Sequence, residues 1–83
     1  MVSSVLDRVL EPIAACFTPE AARRLAEQRA DPETQARFDE LAEKANEGQL
    51  SLEEDSDYSE LRAAFHLMTR LQAKARFFLK SHP

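Results

Sequence analysis

The sequence predicts an all-α protein: a small bundle of three short helices and one long C-terminal helix. Ala, Leu, Glu, Arg and Gln dominate while β-branched residues are sparse, which leaves little material for a sheet. Glycine occurs once, so few points of the chain are built for a reverse turn of positive φ. Between the turn signals, apolar residues recur at three- and four-residue steps. With 83 residues the chain is expected to form a single helical domain over 1–83. A chain this short buries a modest fraction of its surface and gains from cover supplied by other molecules.

The first helix is expected at about 2–15, where Val2, Val5, Leu6, Val9, Leu10, Ile13, Ala14 and Phe17 mark an apolar stripe. Pro12 lacks a backbone donor and crowds the preceding turn, so this helix should stop near Glu11 or kink there. Thr18-Pro19-Glu20 is a start signal: threonine accepts from free first-turn amides, and proline is tolerated at the first helical position. The second helix is expected at about 19–29. Asp31-Pro32-Glu33 repeats the pattern and opens a third helix, about 32–47, with Phe38, Leu41, Ala42 and Ala45 on one face. Asn46-Glu47-Gly48 ends it, Gly48 being suited to a left-handed C′ position.

Ser51 with Glu54 makes a capping-box pattern, and the row Leu61, Phe65, Met68, Leu71, Ala75, Phe78 extends it into a helix over about 51–80. Taken as about 28 residues at 1.5 Å each, such a helix runs roughly 42 Å, longer than the roughly 30 Å diameter of a compact globule of this size. It therefore projects or breaks, and Asp57 with Glu60 offers a second capping box for a restart at Tyr58.

Charge divides the chain near residue 60. Asp31 to Glu60 holds eleven acids against Arg37 and Lys44, a net −9, whereas Leu61 to Pro83 holds Arg62, Arg70, Lys74, Arg76, Lys80 and no acid. The overall charge of −4 disfavours direct nucleic-acid binding, since phosphate contacts need a concentrated basic surface. No apolar run approaches the roughly 20 residues needed to cross a bilayer, and the N-terminus lacks a basic leader, so a cytoplasmic protein is expected. Cys16 has no cysteine to pair with, which agrees with a reducing compartment.

The chemistry-bearing residues have plain readings. Glu53, Glu54, Asp55 and Asp57 lack the central glycine and spacing of a calcium loop and read as a solvated first helical turn. Cys16, His66 and His82 have no metal-finger spacing. Cys16, among Ile13, Ala14 and Phe17, reads as a small buried hydrophobe, and His66 as a residue at the rim of the apolar face. No catalytic residue, cofactor or metal site is expected. Arg70 and Lys74 lie four apart on one helical face, too early for the helix C-terminal dipole to account for them. They are expected to pair first with the Glu-rich third helix, then with an acidic partner, then with phosphate. Around them Leu67, Leu71, Phe77, Phe78 and Leu79 surround the helix, and an all-round apolar surface calls for cover on several sides.

Several blocks occur in a fixed order: Thr18-Pro19-Glu20, Arg29-Ala30-Asp31-Pro32-Glu33, Leu41 to Gly48, Leu50-Ser51, Tyr58, and Leu71-Gln72-Ala73-Lys74-Ala75-Arg76. With them the chain resembles a family of small all-helical bacterial proteins often encoded beside an HNH endonuclease. The resemblance implies a companion of that nuclease, an antitoxin-like inhibitor or an accessory subunit, and carries no catalytic signature. Where that family places an acid and a run of isoleucines before the last block, this chain has Ala64 to Arg70.

The function expected from the sequence is a non-catalytic protein–protein interaction module docking through the C-terminal helix. Leu61, Phe65, Met68, Leu71 and Phe78 are the candidate apolar anchors, and Arg70, Lys74 and Arg76 the candidate polar contacts. Two readings stand beside it: a nucleic-acid accessory protein using the basic C-terminal helix, and a homodimeric scaffold pairing two copies of that helix.

Overall fold

The computed structural model describes residues 5–81, and among these the chain forms four helices and no strand: α1 (Val5–Ala14), α2 (Pro19–Ala26), α3 (Pro32–Asn46) and α4 (Leu52–Ser81). The all-α class is as expected, with three short helices and one long one. Val2 and His82 lie outside the described residues. The chain divides into two compact units, one taking in the chain up to Gln28 and again from Leu67, the other Arg29–His66. Helix α4 contributes its first half to the second unit and its second half to the first.

Three of the start signals work as the sequence implied. Thr18 Oγ1 accepts from the Ala21 N–H at 3.2 Å, and Asp31 accepts from both the N–H and the hydroxyl of Thr34 at 2.9 and 2.8 Å. At α4 the capping box is reciprocal: Ser51 Oγ accepts from the Glu54 N–H, and Glu54 Oε1 accepts from the Ser51 N–H, each at 3.1 Å. With its first turn fixed there, α4 continues through Asp57 without a restart at Tyr58. Asp57 is used otherwise, as an ion-pair partner of Arg37 at 3.6 Å.

One end differs from expectation. Helix α1 passes Pro12 and runs to Ala14, within the expected bounds and beyond the alternative stop at Glu11, and the Ala15 N–H still donates to the Glu11 carbonyl at 3.0 Å. Helix α2 ends at Ala26, three residues short of Arg29, because side chains from α4 take over its terminal carbonyls. Gln72 Nε2 donates to the carbonyls of Leu25 and Gln28 at 3.2 and 2.7 Å, and Arg76 Nη2 donates to that of Ala26 at 3.3 Å. Helix α3 ends as read: Gly48 takes φ +68°, its N–H donates to the Ala45 carbonyl and that of Gln49 to Lys44, a Schellman closure.

In the second unit α3 turns Thr34, Arg37, Phe38, Leu41, Ala42 and Ala45 inward, with Leu41 fully buried. From α4 come Glu54, Tyr58, Leu61 and Phe65, all half-buried at helical spacing. Phe38 joins the two helices, stacked on Tyr58 with ring centroids 5.6 Å apart and edge-on to Phe65 at 4.9 Å. In the first unit Leu10, Ala22, Gln72 and Ala75 are buried, and Phe17 meets Phe78 edge-on at 5.9 Å.

Glu54 does two tasks. Besides capping α4 it accepts from Lys44 Nζ at 2.6 Å, tying the end of α3 to the start of α4. The Lys44 ammonium, followed by the Ser51 N–H, holds the Glu54 carboxyl down at about 2, and the same contact raises Lys44 above its ordinary value. A depressed carboxyl favours folding above its unfolded pKa, roughly 4.3, and loses that contribution as pH falls through the folded value; the raised ammonium acts only at the alkaline end. Asp31, lowered by Thr34, works in the same direction as Glu54. The melting temperature should therefore hold steady from about pH 5 to 9 and fall on acidification toward pH 2. Glu54→Gln should flatten part of that fall in circular-dichroism melts. An acid limb identical in the variant would remove Glu54 from the linkage.

Candidate docking surface

The three basic candidates are all committed to contacts inside the first unit. Asp7 and Glu11 lie four apart on α1, matching the spacing of Arg70 and Lys74 on α4, and the two pairs form a two-rung ladder: Arg70 to Asp7 at 3.6 Å, Lys74 to Glu11 at 2.6 Å. This corrects the expected pairing with the Glu-rich third helix. Helix α3 instead uses its acids near its own cations, as in Arg37 with Glu40 at 3.1 Å. In the second rung the Lys74 side chain is 18% exposed and that of Glu11 72%, so the carboxylate faces water while the ammonium is largely covered. Arg76, which the helical wheel turns away from Arg70 and Lys74, caps α2 through the Ala26 carbonyl.

The five apolar candidates, Leu61, Phe65, Met68, Leu71 and Phe78, are half-buried, and two of them spend an aromatic face within the chain, Phe65 on Phe38 and Phe78 on Phe17. The exposed apolar side chains lie elsewhere. On α1 the single stripe read from the sequence splits: Leu6, Leu10, Ala14 and Phe17 turn inward, while Val5, Val9 and Ile13, at i, i+4 and i+8, face outward, Val5 being 75% exposed. On α4, Leu67 is exposed and the Phe77 ring is 71% exposed.

Phe77 borders a cleft of about 440 Å³ in the first unit, whose other walls are Asp7, Glu11, Ala14, Arg70, Ala73 and Lys74. Alanines at 14 and 73 leave the space open, Phe77 supplies an apolar flank, and the ion-pair ladder supplies a charged rim held in place by α1. Sequence reasoning placed Phe77 in the broad apolar surface of the last helix but not among the anchors. Its signal was its offset from Phe78: adjacent helical residues point about 100° apart, so they cannot both face inward. Cys16, expected to be buried, is exposed. It follows the end of α1, where the chain turns, and its Sγ donates to the Pro12 carbonyl at 3.6 Å.

The units differ in charge. By sequence the first holds seven basic and four acidic residues, +3, and the second four basic and eleven acidic, −7. In the second unit Glu33, Glu43, Glu47, Glu53, Asp55 and Glu60 are exposed and form no ion pair among the described residues. Among the described residues no group of three or more His, Cys, Asp or Glu side chains is placed to hold a metal ion, and no helix is long and apolar enough to cross a membrane. No family model, curated protein or solved structure matches the chain.

Proposed function

We propose that this chain is a non-catalytic protein–protein interaction module whose docking face is the Phe77 cleft. The observation that supports this reading is Phe77. Its ring is left 71% exposed beside an open cleft, although a phenylalanine of this size gains about 1.5–3 kcal/mol when buried. Val5, Val9 and Ile13 form a separate exposed apolar stripe in the same unit, on the side of α1 away from Asp7, Glu11 and Ala14. Arg70 and Lys74 remain part of the face as its rim. Met68, Leu71 and Phe78 keep the helices of this unit packed, and Leu61 and Phe65 those of the second unit.

The resemblance makes an HNH endonuclease the first partner to try, with this chain as inhibitor or accessory subunit. The six unpaired carboxylates of the second unit favour the inhibitor form: an acidic surface of this kind competes with phosphate for a basic groove, and the competition weakens with salt. The nucleic-acid reading draws less support, because Arg70, Lys74 and Arg76 already have partners within the chain. The test is gel filtration of the purified pair with a parallel nuclease assay, comparing the natural chain with a Phe77→Asp variant. The substituted position is exposed, so the variant should keep its helical signal and lose co-elution by at least tenfold in affinity, a step of about 1.4 kcal/mol. A complex that the variant keeps would remove this face from docking.

A further inference from the structure

We infer that the Phe77 cleft receives Leu52 from a second copy of this chain, so that the protein associates with itself through unlike units. The inference rests on reading that cleft as a docking face and commits it to one occupant. Leu52 is the first residue of α4 and is 93% exposed. The capping box of this turn is made by Ser51 and Glu54, so helix formation places no demand for an apolar side chain at position 52. What stands there is a leucine projecting into water, with Glu53 and Asp55 beside it, exposed and without ion pairs among the described residues.

The cleft offers apolar walls, Ala14, Ala73 and Phe77, with the Arg70–Asp7 and Lys74–Glu11 ion pairs along its rim. Lys80, one helical turn beyond Phe77, is exposed and has no ion pair among the described residues. A leucine entering beside Phe77 brings Glu53 and Asp55 to the side of Lys80, and it does so between units of charge −7 and +3. An apolar knob with an acidic collar thus meets an apolar hollow in a unit of net positive charge, and both halves are present in one sequence. A contact built on one knob belongs to the small, transient class of interfaces, below about 1,200 Å².

Sedimentation equilibrium from micromolar to millimolar protein tests the inference. The weight-average mass should rise above the 9.4 kDa of one chain, and the rise should shrink on adding salt. A plateau at twice that mass marks a reciprocal dimer and a continued rise marks a chain of heterologous contacts; either supports self-association. Leu52→Asp and Phe77→Asp, both at exposed positions, should each lower the association constant about 10- to 100-fold. In a mixed sample, an isotope-filtered NOE should connect Leu52 methyls of the labelled copy to the Phe77 ring of the unlabelled one. A mass of one chain throughout, or association that Leu52→Asp leaves unchanged, overturns the inference. If Phe77→Asp still abolishes nuclease binding in that case, the docking face stands and only its self-occupancy falls.

Discussion

Leu41→Ala should lower the unfolding free energy by about 2–5 kcal/mol, the largest effect of any single truncation in this chain. Leu41 is the one large side chain that is completely buried among the described residues; Ala22 and Ala75 are as deeply buried but have little to lose, and Leu10 keeps 4% exposure. Its neighbours on the inward face of α3 are Phe38 one turn before and Ala45 one turn after. Phe38 is held by two rings of α4 and cannot readily swing to fill a hole, so the cavity should persist and the cost should lie in the upper part of that range. For 83 residues the whole stability is roughly 4–12 kcal/mol, so the variant approaches the folding threshold. Urea unfolding followed by circular dichroism measures it, with Val5→Ala, at a 75% exposed position, as a control expected within about 0.5 kcal/mol of the natural chain. Equal losses in the two variants would mean that the second unit does not depend on Leu41.

The local grammar of this chain was readable because its signals act over three or four residues. Thr18, Asp31 and Ser51 each find their acceptor geometry within the turn they open, and Gly48 closes α3 by its own backbone conformation. Four helices and the inward row of α4 follow from such signals with the apolar period. What was not readable depended on which helix lies against which. The Asp7 and Glu11 spacing equals that of Arg70 and Lys74, but α3 also offers acids at four-residue steps, and nothing along the sequence ranks one helix above another. The end of α2 was misplaced for the same reason, since its stop signal is carried by α4, more than forty residues away. The candidate docking residues follow the apolar row of the last helix, and such a row marks the side packed within the chain, with Phe78 on Phe17, while Phe77 beside it is exposed. A wheel of α1 shows one broad apolar arc. Only the packing divides it into Leu6 and Leu10 inside and Val5, Val9 and Ile13 outside.

Gln72→Leu should cost about 1–3 kcal/mol although it makes the site more apolar at similar volume. Gln72 is the one polar residue counted as buried among the described residues, at 8% exposure, and its amide serves two carbonyls of the α2 terminus at once. Leucine supplies no donor, so the Leu25 and Gln28 carbonyls lose this partner where the chain packs against α4. Gln72→Glu should cost more, because it sets a carboxylate against carbonyl oxygens at the negative end of a helix dipole. The loss should be local in origin: amide exchange ought to speed up in α2 before it does in α3, which lies in the other unit. Unchanged stability and exchange in Gln72→Leu would show that water replaces the side chain without cost. The expected result bears on function through the block Leu71 to Arg76. Lys74 holds α1, one wall of the cleft, while Gln72 and Arg76 hold α2 in the same unit, so substitutions there will weaken partner binding by loosening the unit that carries the cleft. Exchange protection of α2 tells the two cases apart: a variant that loses binding with protection intact acts at the face itself, as Phe77→Asp should, and one that loses both acts through the fold.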